Sequence, residues 1–188
     1  MYVDDILAIS IDPTEILKSM EGKTVRYKNS NKSPPEMYLG ARLKRKMING
    51  NMCWTITSYE YVIAAVKTIK DAITRNPRKM PKTADKLMTK SFVPELDGTE
   101  ELGPDGIKFY QDMIGMLRRA TELGRTYIIY DVSILSQYQA ALSKGHMEDI
   151  LHIFAFLDRK PKLTLYMDPS LPRLNYSVHK NDPLEFKE

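Results

Sequence analysis

Two adjacent carboxylates are the first residues able to do chemistry. Asp4 and Asp5 stand in Tyr2-Val3-Asp4-Asp5, followed by the β-compatible run Ile6-Leu7-Ala8-Ile9-Ser10. On a strand, tight turn and second strand, such neighbours put hard oxygen ligands at one point in space. Mg2+ takes one or two such ligands from protein and completes its shell with phosphate and water. Two ions roughly 4 Å apart activate the attacking oxygen and stabilise the leaving oxygen of an in-line displacement at phosphorus. The bland counterpart is an acidic surface turn. Composition alone yields a Tyr-x-Asp-Asp tetrad in roughly one chain in fifty of this length, so the rest of the chain must support the metal reading.

Charge is the second chemical feature. The net charge of +4 hides three blocks. Residues 1–22 hold one Lys and five acids (−4), and residues 91–188 hold eleven Lys/Arg and fifteen acids (−4). Residues 23–90 hold sixteen Lys/Arg and four acids, or +12. A block this basic suits a polyanion, most simply a nucleic acid; a solvated Lys-rich surface is the alternative. Its densest stretches contain Lys44, Arg45 and Lys46, then Lys67, Lys70, Arg75 and Arg78. Trp54, Tyr59 and Tyr61 lie among them and can stack on bases, though half-buried aromatics more often serve a core.

Other site chemistries find little support. One cysteine, Cys53, excludes an intrachain disulfide and a cysteine-rich zinc module. His146 and His152 are six apart and share a helix face poorly. Ser133 and Ser136 lack a Gly-x-Ser-x-Gly context, and no Gly-rich phosphate loop is present. Tyr61–Val66 (YVIAAV) and Phe154–Leu157 (FAFL) are too short to span a bilayer, and Asp4 and Asp5 stand where a signal peptide needs positive charge. The expectation is an intracellular protein of cytoplasm or nucleus with no membrane partner.

The elements that must position these residues read as α+β. Strand candidates are 3–10, 24–29, 36–46 and 52–56, with Asn49-Gly50 as the hairpin turn between the last two. Lys162–Met167 (KLTLYM) also reads as a strand. Helices are expected over 13–20, 59–75, 105–122, 128–138 and 147–158. Asp12 is the cap of the first, Ser58 that of the second, and Gly124 the stop of the third. Val62, Val66, Ile69 and Ile73 give the second helix its apolar face. Residues 76–102, with Pro77, Pro81 and Pro94, read as a connection.

The order of these motifs resembles a known family. Tyr2–Ser10 (YVDDILAIS) looks like the active-site hairpin of reverse transcriptases. The run MYLGARLKRKMINGNMCWTITSYEYVIAAV resembles the segment downstream of that hairpin in copia-type LTR retrotransposon polymerases. The likeness continues through IKFYQDMIGMLRRATELGRTYIIYDVSILSQY and HMEDILHIFAFLDRKPKLTLYMD, and so covers nearly the whole chain.

The resemblance implies the C-terminal piece of a reverse-transcriptase palm, then thumb and connection helices. It divides the chain into a palm piece (1–57), a basic thumb-like helix and linker (58–92), and a helical connection (93–188) leading toward a ribonuclease H domain. It makes Asp4 and Asp5 the catalytic carboxylates that hold Mg2+ in the intact enzyme. It places Tyr2 beside an RNA or DNA template-primer, and Tyr38, Leu39 and Gly40 in the hairpin that grips the primer. It makes Lys67, Lys70 and Arg75 phosphate contacts of the thumb.

The family's third carboxylate lies on a strand upstream of the Tyr-x-Asp-Asp motif. The expectation is therefore a polyprotein fragment that is inactive alone and lacks fingers, upstream palm and that carboxylate, with the remaining polymerase segments as partners. Two alternatives stand beside it: a non-enzymatic basic module that binds nucleic acid, and a retroelement remnant without function.

Overall fold

Four apolar helix faces meet to form the core. A computed structural model describes residues 12–20, 34–75, 80–81, 84–88, 93–138 and 141–167. Helix α1 is Pro13–Met20, α2 Tyr59–Arg75, α3 Pro104–Glu122, α4 Ile129–Gln137 and α5 Lys144–Arg159. The spacing of Val62, Val66 and Ile69 turns one face of α2 inward, where all three are buried. Tyr110, Ile114 and Leu117 from α3, Val132 and Leu135 from α4, and Ile150, Phe154 and Leu157 from α5 complete one cluster. Burying a side chain of this size contributes about 1.5–3 kcal/mol, so these faces hold the helices together.

The strands are β1 Met37–Tyr38, β2 Ala41–Ile48, β3 Asn51–Thr57 and β4 Leu165–Met167, antiparallel in the order β1-β2-β3-β4. The fold is therefore α+β, with a small antiparallel sheet beside a helical core. Asn49 (φ 50°) and Gly50 (φ 84°) form the two-residue turn between β2 and β3, and Ile48 pairs with Asn51 across it. Positive φ at both turn residues suits the twist of the flanking strands.

Several expectations need adjustment. Residues 36–46 do not form one strand. Leu39 (φ 50°) and Gly40 (φ 90°) reverse the chain, so Tyr38 pairs with Ala41. The fifth helix begins at Lys144 rather than 147, because Ser143 caps it. The fourth is preceded by a 3-10 turn at Thr126–Ile128 and ends at Gln137. The strand expected in 162–167 is confined to β4, which adds to the sheet beside β3.

The second helix keeps its expected bounds, and Asp12 accepts the Thr14 N–H at 2.9 Å to cap α1. The expected strands 3–10 and 24–29 lie outside the described residues. Among the described residues no helix is long and apolar enough to cross a membrane.

Candidate nucleic-acid interface

The outer half of the β2–β3 hairpin is exposed on β2, while Cys53 and Thr55 of β3 are buried. Ala41 and Leu43 are buried, and β2 is exposed from Lys44 to Met47. Side chains alternate along a strand, so Arg45 leaves the sheet on the side opposite Lys44 and Lys46. On the Arg45 side the inner residues Leu43 and Ile56 face each other across the strands. Gly124, at the end of α3, lies against Ile56 and Leu165. In the hairpin's outer pairs, Arg45 with Trp54 and Met47 with Met52, Trp54 is half-buried and the other three are exposed.

The expected cations differ in what they touch. Among the described residues no carboxylate forms an ion pair with Lys44, Arg45, Lys46 or Lys67. Arg45 lies over the Trp54 ring, 4.8 Å from its centroid, and Lys46 lies 5.8 Å from the Tyr166 ring. Lys70, by contrast, is held by Asp158 of α5 at 2.7 Å.

Arg42, next to Leu43, pairs with Glu60 of α2 at 2.8 Å. A hydrogen bond from its own backbone, then the Arg42 guanidinium, hold the Glu60 carboxyl below the usual carboxylate range, and Lys44 adds a weaker pull. Lys67 follows Glu60 by seven residues, about two helical turns, so it stands on the same side of α2. Arg75 is the last residue of α2. Tyr2, Asp4, Asp5 and Arg78 lie outside the described residues.

Tyr38, Leu39 and Gly40 form the short β1–β2 turn, with Tyr38 half-buried and Leu39 exposed. The Arg119 guanidinium of α3 donates to the Leu39 carbonyl, which ties the turn to the helical core. Tyr61 serves packing: its hydroxyl donates to the Met116 carbonyl at 3.0 Å.

Two polar arrangements have no counterpart in the sequence reading. Arg125 is 1 % exposed, and every partner it has among the described residues is neutral. Its Nε donates to the Ser58 hydroxyl at 3.0 Å, and its Nη1 to the Tyr127 hydroxyl and the Lys160 carbonyl, each at 3.2 Å. Its Nη2 donates to the Pro161 carbonyl. The last two acceptors lie at the C-terminus of α5, where the helix dipole is negative and favours a cation. Ser58 joins β3 to α2, so Arg125 fixes the angle at which the hairpin leaves the helical core.

Asp97, Ser143 and His146 meet at the N-terminus of α5. Ser143 donates its hydroxyl proton to Asp97, and its Oγ lies 2.6 Å from His146 Nδ1. The Ser143 backbone N–H also donates to Nδ1 at 3.2 Å, and Nε2 faces the Pro94 carbonyl at 3.1 Å. Nδ1 is thus the acceptor and Nε2 carries the proton. Burial pushes the Asp97 carboxyl up, but hydrogen bonds from Ser143 and Thr99 outweigh it and leave the carboxyl below its ordinary value.

Three residue types of a hydrolase are present, yet Ser143 is 5 % exposed and gives its proton to the carboxylate. The group caps a helix. It borders a cleft of about 440 Å³ that Pro94, Leu96, Asp149 and His152 also line. Among the described residues no group of three or more His, Cys, Asp or Glu side chains can hold a metal ion. The Ser-x-x-His spacing was the available signal for the cap. Arg125 gave none, because its acceptors lie far away in sequence.

The chain matches no family model, no curated protein and no solved structure. Function must therefore be argued from the surface itself. The hairpin presents three consecutive cations that no carboxylate pairs among the described residues.

Proposed function

We propose that the chain is the part of a copia-type reverse transcriptase that runs from the Tyr-x-Asp-Asp motif through thumb and connection. Its own contribution is to hold a primer-template by the phosphates. The order of motifs along the sequence supports the ancestry. The binding role rests on one observation: Lys44, Arg45 and Lys46 are exposed on the β2 strand of the hairpin with no carboxylate partner among the described residues.

Intact enzymes of that family add deoxynucleotides to a primer 3′ end. Asp4 and Asp5 would hold Mg2+ there, with the third carboxylate supplied from upstream. A non-enzymatic nucleic-acid-binding module is the second reading; it uses the same hairpin and needs neither Asp4 nor Asp5.

Salt-titrated binding to a primer-template duplex tests the binding role. If about five phosphates are neutralised, log K falls with log salt at a slope near −4.5 for duplex and −3.5 for a single strand. Changing Lys44, Arg45 and Lys46 together to Gln should flatten the duplex slope by roughly 2–3. A response flat in salt, or an affinity indifferent to the triple change, removes the proposal.

A further inference from the structure

The two sides of the hairpin's outer half differ in chemistry. Lys44 and Lys46 stand on one side. The other carries a single cation, Arg45, among Met47, Met52, Trp54 and Met167. Register places these together: Arg45 pairs with Trp54, Trp54 with Met167, and Met47 with Met52. Met47 is 58 % exposed, Met52 53 % and Met167 41 %. A half-buried indole framed by three exposed thioether side chains is an apolar face on an otherwise basic hairpin. The Arg45 guanidinium lies over the indole. It is exposed, carried on a flexible stem, and pairs with no carboxylate among the described residues. Trp54 is half-buried, and a cation over a ring that water still reaches gains only about 0.5–1 kcal/mol, so a ligand with a larger π-surface can displace it.

We propose that this face is a stacking site for one unpaired nucleobase of a single strand. The base lies on Trp54 in the space Arg45 covers, Met47 and Met52 pack on its edges, and Arg45 turns to the neighbouring phosphate. Charge complementarity selects this occupant. A base arrives with a phosphate on each side, Arg45 meets one on this side of the hairpin, and Lys44 and Lys46 meet the strand where it passes the other. An uncharged peptide would use the thioethers and leave all three cations unanswered. The inference rests on the proposed phosphate-binding role and adds a base contact to it.

Trp54 is the chain's one tryptophan, so its emission reports on this site alone. The full chain is titrated with a short oligothymidylate and with the same-length abasic strand, which keeps the phosphates and lacks the bases. The thymidylate should quench Trp54 and bind on the order of tenfold more tightly than the abasic strand. Trp54→Phe should keep most of that preference, and Trp54→Ala should abolish it. Should Trp54→Ala fail to fold, the comparison of the two strands on the unaltered chain still decides. Equal affinity for both strands with unchanged emission overturns the stacking site and leaves phosphate binding standing. Failure to bind either strand removes both.

Discussion

The helical core and the outer half of the β2–β3 hairpin differ in how they hold positive charge. Around the helices several cations have carboxylate partners: Lys70 with Asp158, Arg119 with Glu122, Lys144 with Glu100, Arg159 with Asp85; Lys67 has none among the described residues. Arg125 is buried and fully occupied by neutral acceptors. On the hairpin, Lys44, Arg45 and Lys46 stand in a row, and no carboxylate pairs with them among the described residues. Like charges this close repel, and the fold gains only weak contacts from them in return: Arg45 over Trp54, Lys46 near Tyr166 and the distant pull of Lys44 on Glu60. Charge in the core is there to build the structure, whereas charge on the hairpin is left for a partner. The contrast yields predictions of graded size, because a residue that builds should cost stability when removed and a residue that binds should not.

Arg125 should show the largest effect. Arg125→Ala leaves the Ser58 and Tyr127 hydroxyls and two carbonyls at the end of α5 without their donor, and it opens a cavity. Hydrogen bonds from a charged group are worth about 1.5–3 kcal/mol each, and such losses do not add fully. The expected destabilisation is about 3–4 kcal/mol in urea unfolding. Arg125→Lys should recover less than half, since one ammonium cannot reach acceptors spread around a planar fork. A loss below about 1 kcal/mol would place Arg125 with ordinary surface arginines and end the contrast.

How much of this could be read from the chain depends on the range of the interactions. The α2 helix and the Asn49-Gly50 turn were legible because a repeating apolar face and a turn dipeptide are local signals. The Asp12 cap is local in the same way, two residues from the N–H it binds. The Leu39-Gly40 turn was hidden inside a β-compatible run, since a leucine at positive φ is a poor turn residue and Arg119, eighty positions away, helps to hold it. The early start of α5 was hidden because His146 takes the place a Glu or Gln holds in the usual capping box.

The candidate interface divides in the same manner. Composition named the cations, and strand alternation alone parts Arg45 from its two neighbours. That Lys70 is paired away depends on α5 packing against α2, which brings Asp158 within 2.7 Å from 88 positions along the chain. Arg125 was invisible for that reason too: its role is written in acceptors at positions 58, 127, 160 and 161.

Asp149 should give an intermediate effect with a definite sign. Burial on α5 pushes its carboxyl up to about 6 from an ordinary 3.8, while His146 and His152 pull it down and Asp97 and Glu148 add to the rise. A carboxyl raised in the folded state binds its proton more tightly there than in the unfolded chain. Its stabilising effect is complete below about pH 4 and is lost as pH rises through about 6. Asp149→Asn should therefore stabilise the protein at pH 7.5 and change little at pH 4. Partial access to water reduces the gain to about 1 kcal/mol. Thermal melts of both proteins across pH 4–8 check it. A variant equally destabilised at every pH would mean that the carboxylate is a structural partner rather than a charge that burial disfavours.

The smallest stability change should come from the hairpin itself. Changing Lys44, Arg45 and Lys46 together to Gln removes three charges and no ion pair found among the described residues. Arg45 gives up its contact with Trp54, worth about 0.5–1 kcal/mol at an exposed site. Relief of repulsion along β2 offsets part of that, and the stems of the glutamines still lie along the strand. The Arg42–Glu60 pair stays in place and even loses a competitor, since Lys44 also attracts Glu60. The net change in unfolding free energy should fall within about 0.5 kcal/mol of zero, although the same three changes should cost most of the salt-dependent affinity for nucleic acid. Affinity lost without stability is the signature of a surface built for a partner. If urea melts instead show a loss above about 2 kcal/mol, the three cations belong to the fold after all, and the binding data from this variant would have to be read as partial unfolding.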